Sequence, residues 1–117
     1  MLQIGLLLIR HYKLLSLAAI TDVFETVNKI YHKKGQDAPF RITLVHTSDT
    51  EHLAAAFPGH PSEGIAGGTA FNLVLVPSFT SDDLQQATAH NRDYLPWLRQ
   101  QYKKGAEIAS FCTGAFL

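Results

Sequence analysis

Residues 110–114, with the sequence Ser-Phe-Cys-Thr-Gly, hold the only cysteine of the chain in a pattern that can do chemistry. A nucleophile at a tight turn from a strand into a helix needs small residues two positions before and after it, because bulkier side chains would collide where the backbone doubles back. Ser110 and Gly114 meet this requirement, so the segment predicts a nucleophile elbow at Cys112.

Two chemical consequences follow if Cys112 sits at such an elbow. The positive end of the helix dipole favours the thiolate and lowers the pKa of the thiol, which makes the sulfur a better nucleophile. The backbone N–H of Thr113 points beside the sulfur and can serve as an oxyanion donor. The local pattern is equally compatible with a buried cysteine that packs as a small hydrophobic residue.

The histidines do not form a recognisable set of metal ligands. Their spacing contains no i, i+4 pair on a helix and no cysteine–histidine finger, so no metal site is predicted from His11, His32, His46, His52, His60 and His90. His11 differs from the others because it follows the first predicted strand and should lie at the carboxyl edge of the sheet. Ligand crevices form at that edge, so His11 is a candidate ligand-binding residue, with a solvated loop histidine as the alternative.

The first half of the chain predicts a strand, a helix and a second strand. Residues 2–9 are a nearly continuous apolar run, typical of a strand buried on both faces, and residues 40–46 are rich in β-branched and apolar side chains. Between them, Ser16 is a reasonable N-cap and Gly35 a reasonable C-terminal stop for a helix. The helix is predicted from one stripe with a 3.6-residue period: Ile20, Val23, Phe24, Val27, Ile30 and Tyr31.

The second half continues the same alternation. Residues 47–71 suit turns and a short hairpin, and residues 71–77 predict another buried strand. Two helices are predicted over residues 82–90, capped by Ser81, and over residues 94–104, followed by a strand over residues 106–111. A further helix is expected to begin at Cys112. Strands that are apolar on both faces need neighbours and covering helices, so we expect an α/β domain with a parallel sheet, of which these residues are the first part.

Composition excludes several classes of protein. The length of 117 residues suits a single domain, and 46% hydrophobic against 17% charged residues is far too apolar for disorder. Ten basic and ten acidic side chains leave no surplus for a nucleic-acid arm or a polybasic membrane patch. The single cysteine excludes an internal disulfide, and no apolar run is long enough to cross a bilayer. We therefore expect a cytoplasmic protein without a membrane partner.

Several segments together resemble a known family. They are residues 109–117, residues 94–99 (Tyr-Leu-Pro-Trp-Leu-Arg), residues 4–8, residues 22–25 and residues 73–77. The chain resembles, over essentially its whole length, the N-terminal class I glutamine amidotransferase-like (ThiJ/PfpI-like) domain of AraC-family transcriptional regulators. That resemblance implies a flavodoxin-like three-layer α/β/α sandwich, usually a homodimer, followed by two helix-turn-helix motifs that bind DNA. It also implies that the oxyanion donors near Cys112 are the backbone N–H groups of Thr113 and Phe79.

Three departures from the family pattern bear on catalysis. Enzymatic relatives carry a carboxylate near the start of the first helix, where this chain has Ser16. The usual Gly-Gly after the third-strand proline is replaced by Ser78 and Phe79, and the catalytic-type histidine of relatives would lie beyond Leu117. Without these partners, positioned proton transfer is missing.

The resemblance and its departures together favour a non-catalytic ligand-sensing and dimerisation domain without a cofactor. DNA would be contacted only through a downstream domain. The small-molecule effector would bind near Cys112, the elbow position, with His11, Ser16, Ser78, Phe79 and Thr113 as its contacts. Two alternatives stay open: a ThiJ/PfpI-like cysteine hydrolase or glyoxalase, and a vestigial scaffold in which Cys112 merely packs.

Overall fold

Helices and strands alternate along residues 1–80, 84–111 and 114, which are the residues that the computed structural model describes. The order is β1 (Leu2–Leu7), α1 (Leu14–Lys33), β2 (Phe40–His46), a 3-10 helix (Glu51–Ala56), β3 (Ser62–Gly64), β4 (Leu73–Val76), α2 (Leu84–His90), α3 (Tyr94–Lys103) and β5 (Glu107–Ser110). Within the described ranges, no helix has the length and apolar character that crossing a membrane requires.

The five strands form one parallel sheet in the order β3-β2-β1-β4-β5. β1 lies in the centre, where Ile4 pairs with Ile42 of β2 on one side and with Leu73 of β4 on the other. The strand order reverses between β1 and β4, which is the switch point at which parallel sheets open a ligand crevice. Without the three-residue edge strand β3, the order is that of a flavodoxin-like sheet, so the predicted fold class is confirmed.

Helices cover both faces of the sheet. On one face, Leu17 and Ile20 of α1 pack on a cluster that includes Leu6 and Leu44. On the other face, α3 contributes Tyr94 and Trp97 to a second cluster: Leu7, Ile9, Val45, Phe71, Val74, Val76, Phe79 and Ala106. Neighbouring residues of one strand belong to opposite clusters, because successive side chains of a strand point to opposite faces. Burial on both faces explains why these strands are continuous apolar runs in the sequence.

α1 begins three residues earlier than expected, so the prediction of Ser16 as its N-cap is wrong. Lys13 occupies the cap position without a side-chain hydrogen bond, and its backbone N–H donates to the carbonyl of Ser78 at 2.8 Å. The contact between the two loops fixes where the helix starts. Its end is as predicted, because Gly35 has a φ of 73° and the N–H of Gln36 returns to the carbonyl of Tyr31.

The predicted apolar stripe of α1 is only partly buried. Ile20 is buried and Phe24 packs against the cluster of that face, whereas Val23 is 60% exposed and Ile30 is 48% exposed. The face that α1 turns to the sheet is centred on Leu17, Ile20 and Thr21 instead. The other half of the stripe therefore forms an exposed apolar flank on the helix.

The hairpin predicted within residues 47–71 is wrong. The connection that contains the 3-10 helix brings the chain back beside the middle of β2, so β3 runs parallel to β2 rather than antiparallel. Residues 81–83, which hold the predicted cap of α2, lie outside the described residues, as do residues 112 and 113. The predicted strands over residues 2–9 and 71–77 are shorter in the structure, at Leu2–Leu7 and Leu73–Val76.

Candidate functional site

The turn after β1 is held by a buried asparagine. The backbone N–H of Arg10 donates to Oδ1 of Asn91 at 2.8 Å, and Nδ2 of Asn91 donates to the carbonyl of Arg10 at 3.2 Å. Asn91 is 1% exposed and lies between α2 and α3. The next residue, His11, has a φ of 65°, a left-handed conformation that non-glycine residues adopt rarely. The two amide bonds therefore hold a turn that the chain does not favour locally.

The loops that follow β1 and β4 are bonded to each other across the switch point. The N–H of Thr80 donates to the carbonyl of His11 at 2.9 Å, and Tyr12 forms an isolated antiparallel bridge with Phe79. Ser78 is 5% exposed and Phe79 is 3% exposed, and Phe79 belongs to the core cluster on the α3 face. Two of the predicted ligand contacts are thus packed inside the protein at this edge.

Ser16 takes part in the same bonded loops. Its Oγ accepts a hydrogen bond from the backbone N–H of Ser78 at 3.1 Å, and its side chain is half-buried in the first turn of α1. The hydroxyl of Ser16 therefore joins α1 to the loop after β4. A serine hydroxyl at ordinary pH neither donates a proton to a leaving group nor accepts one from a thiol as a carboxylate can.

His11 contacts a second histidine outside the predicted site. Its Nε2 lies 3.2 Å from Nδ1 of His90, the last residue of α2, and the ring centroids are 5.5 Å apart with 29° between the ring planes. Both side chains are exposed. The separation fits an N–H···N hydrogen bond, which requires one ring nitrogen to carry the proton and the other to accept it. Within the described ranges, no three histidine, cysteine, aspartate or glutamate side chains group as a metal site.

Ser110, Phe111 and Gly114 are the described residues of the predicted elbow. A Cβ added to Gly114 would lie 2.6 Å from the carbonyl oxygen of Val76 and 2.7 Å from that of Pro77, and the N–H of Gly114 donates to the carbonyl of Phe111 at 2.8 Å. The chain after β5 therefore passes so close to the end of β4 that a side chain at residue 114 would not fit. A nucleophile elbow requires a small residue at this position, two after the nucleophile. Cys112 and Thr113 themselves lie outside the described residues.

A buried hydroxyl network ties α3 to the central strands. The hydroxyl of Tyr94 donates to the carbonyl of Leu8 and lies 3.0 Å from Oγ1 of Thr50, which accepts the N–H of Thr47. Burial raises the pKa of Tyr94 to about 12, although the hydrogen bonds with Thr50 and Thr47 act in the opposite direction. The phenol therefore stays protonated and serves as a fixed donor that anchors the start of α3.

An open cleft of about 970 Å³ lies at the carboxyl edge of the sheet, beside the ends of β2 and β3. It runs between the residues that follow these two strands on one side and the first turns of α3, with the residues just before them, on the other. Arg92, Arg99 and Trp97 line the helical side, and Ser48 and Ile65 line the opposite side. The sequence did not predict this cleft. Its one local signal was a pair of arginines seven residues apart, one just before the expected helix and one within it.

Known proteins offer no further guide to this geometry. No family model matches the chain, no curated protein matches it, and no solved structure matches it.

Proposed function

We propose that this chain is the ligand-sensing and dimerisation domain of a regulator of the AraC family, with a ThiJ/PfpI-like fold used for binding rather than catalysis. The parallel α/β sheet with a flavodoxin-like order of β2, β1, β4 and β5 supports this assignment, and DNA would be contacted only by a downstream domain. The protein would act in the cytoplasm, where an effector reaches it directly.

One observation carries the non-catalytic part of the proposal, namely the hydrogen bond from the N–H of Ser78 to Oγ of Ser16 at 3.1 Å. An activated cysteine needs an acid or base within hydrogen-bond reach. At the place of the family carboxylate, the chain has a hydroxyl that is already used to join two loops. The contact supports a structural role for Ser16 at the carboxyl edge of the sheet rather than a role in proton transfer.

The effector would bind at the carboxyl edge of the sheet. Around the switch point, His11 is exposed, whereas Ser78 and Phe79 are packed and Ser16 is engaged with Ser78. Cys112 and Thr113, the remaining members of the predicted site, lie outside the described residues. The open cleft on the α3 face begins at the same edge and offers an effector more space than the bonded loops do.

Two exposed surfaces support the homodimer. The apolar flank of α1 includes Val23 and Ile30. Among the described residues, β5 pairs with β4 alone, and Ile108 of β5 is 39% exposed. Apolar patches and open strand edges of this kind are the surfaces that proteins cover by association.

A cysteine hydrolase or glyoxalase is the second candidate, and Gly114 is consistent with it as well as with the sensor. The tight approach of Gly114 to the carbonyls of Val76 and Pro77 is what an elbow requires, whether or not its cysteine reacts. The two candidates therefore differ in the state of the thiol and not in the path of the backbone.

Alkylation of Cys112 separates them, because the chain has one cysteine and the readout is site-specific. For a sensor, we expect the rate of iodoacetamide labelling to rise with pH as it does for a free thiol, and methylglyoxal and ester substrates to be left unchanged. A thiolate that forms near neutral pH, together with turnover that Cys112→Ala abolishes, would contradict the proposal. Reading the gene beyond codon 117 adds an independent check, since two helix-turn-helix segments are expected there.

A further inference from the structure

The cleft on the α3 face carries an excess of positive charge. Arg92 and Arg99 line it, and neither guanidinium forms an ion pair within 4.0 Å with a carboxylate of the described residues. Among the described residues, Asp93 is the one acidic side chain in its lining, and Glu51 lines a smaller hollow of about 230 Å³ next to it. Two exposed guanidinium groups that line the same cleft make its surface attractive to anions.

Apolar groups line the cleft between the two arginines. Ile65 lies on the far side, Pro96 and Trp97 lie on α3, and Trp97 is otherwise packed in the core cluster of that face. A concave surface with an apolar floor and a few convergent polar groups is the usual form of a small-molecule site. Here, the polar groups are guanidinium forks, which match the planar geometry of carboxylate and phosphate oxygens.

The wall that holds the arginines is rigid. Tyr94 bonds to the carbonyl of Leu8 at the start of α3, and two turns later Gln101 is buried, accepts the N–H of Phe71 and donates to the carbonyl of Thr69. Arg92 follows Asn91, which is bonded to the turn after β1. Little conformational entropy of the backbone therefore remains to be lost when a ligand binds.

We propose that this cleft binds a small organic anion, with its carboxylate or phosphate group between Arg92 and Arg99 and its apolar body against Ile65, Pro96 and Trp97. Calling that anion the effector rests on the proposed function. The binding itself does not, because it follows from the charge, shape and lining of the cleft alone.

The single tryptophan of the chain makes the test direct, since Trp97 lines the cleft and no other indole contributes to the signal. The probes are 3-phenylpropionate and phenyl phosphate, which share a ring and differ in the anionic group. Phenethylammonium carries the same ring with a positive charge and serves as the matched control. We expect either anion to change the Trp97 fluorescence saturably and the cation to leave it unchanged.

Substitution of each arginine checks the seat of the anion. Arg92→Gln and Arg99→Gln are each expected to weaken binding about tenfold, as the loss of a charged hydrogen bond does. Arg41→Gln removes the same charge from an exposed position near the amino end of β2 and is expected to bind as the unsubstituted protein does. All three side chains are exposed, so folding is preserved, and circular dichroism verifies it.

Three results would overturn the inference: no saturable response to either anion, an equal response to the cation, or equal affinity in all three variants. A separate measurement decides the proposed function. If 3-phenylpropionate binds the cleft but leaves operator binding by the full-length protein unchanged, the anion site stands and the sensing role fails. If operator affinity shifts and the shift is lost in Arg99→Gln, both stand.

Discussion

Removal of one hydroxyl from Tyr94 tests how firmly α3 is anchored. Tyr94→Phe removes the hydroxyl that donates to the carbonyl of Leu8, in a place where Tyr94 is 1% exposed, while Thr50 keeps its bonds with Thr47. A buried polar group left unsatisfied costs about 1–3 kcal/mol, and the ring still fills its space. We expect the free energy of unfolding to fall by about 2 kcal/mol, which lowers the melting temperature by about 8 °C.

The same substitution changes how stability depends on pH. The pKa of Tyr94 is about 12 in the folded protein against its ordinary value of 10.0, so the folded state holds the proton more tightly. The stabilisation that this difference provides is fully present below pH 10 and is lost as the pH rises toward 12. By pH 11 the loss is about 1.4 kcal/mol. Tyr94→Phe has no such group, so the stability difference between the two proteins shrinks above pH 10.

Urea unfolding at pH 8 and pH 11 measures both effects, with Tyr102→Phe as the matched control. Tyr102 lies on the same helix and is 70% exposed, so its substitution is expected to change stability by less than about 0.5 kcal/mol. Absorbance at 295 nm should show tyrosinate formation near pH 12 that Tyr94→Phe removes. Equal stability of the two variants at pH 8, or no loss of that absorbance change in Tyr94→Phe, would refute the anchoring role.

Four further substitutions test three local contacts of the fold. Gly114→Ala is expected to lower the free energy of unfolding by about 1–3 kcal/mol, because the added Cβ overpacks against two carbonyl oxygens. Gly64→Ala should be nearly neutral, because its added Cβ would lie 3.7 Å from its nearest neighbour. Thermal melts compare the two variants, and equal melting temperatures would contradict the close approach at Gly114. Asn91→Ala is expected to destabilise by about 2 kcal/mol in urea, because it breaks two bonds to the turn after β1, and an unchanged midpoint contradicts that role. Glu25→Gln should lower the free energy of unfolding by less than about 1 kcal/mol, since its 2.9 Å ion pair with His60 is partly exposed. A larger loss of stability in urea at neutral pH would contradict this expectation.

The long elements could be predicted from the sequence because burial leaves a pattern. β1 and β4 are buried on both faces, so their sequences are uninterrupted apolar runs. α1 and α3 are each followed by a glycine with a positive φ, which ends the helix. β3 escaped prediction because Ser-Glu-Gly has no strand pattern, and the backbone bonds that define it come from β2. Periodicity in α1 shows which residues share a face, but whether Val23 has a neighbour depends on an element elsewhere in the chain.

Much less of the candidate site could be predicted. Local spacing predicted a small residue at Gly114. The structure gives the reason, because two backbone carbonyl oxygens at the end of β4 leave no room for a Cβ there. The bond between Ser16 and Ser78 joins residues 62 positions apart, and the bonds between Arg10 and Asn91 join residues 81 positions apart. Such contacts leave no periodic signal, because each depends on where two loops meet. For the same reason the sequence does not single out Arg99, because its place in the cleft depends on where α3 lies relative to the residues that follow β2.

The junction between α2 and α3 explains how one domain could join an open cleft to the packed switch point. Arg92 lines the cleft, and its neighbour Asn91 holds the turn that carries His11. On the other side of Asn91, His90 lies against His11 through a single exposed contact that water can replace. A ligand shifts a conformational equilibrium only by the difference in its contacts with the two states. In the proposed sensor, Arg92 would supply such contacts, and Asn91 is the buried residue that links it to the turn carrying His11.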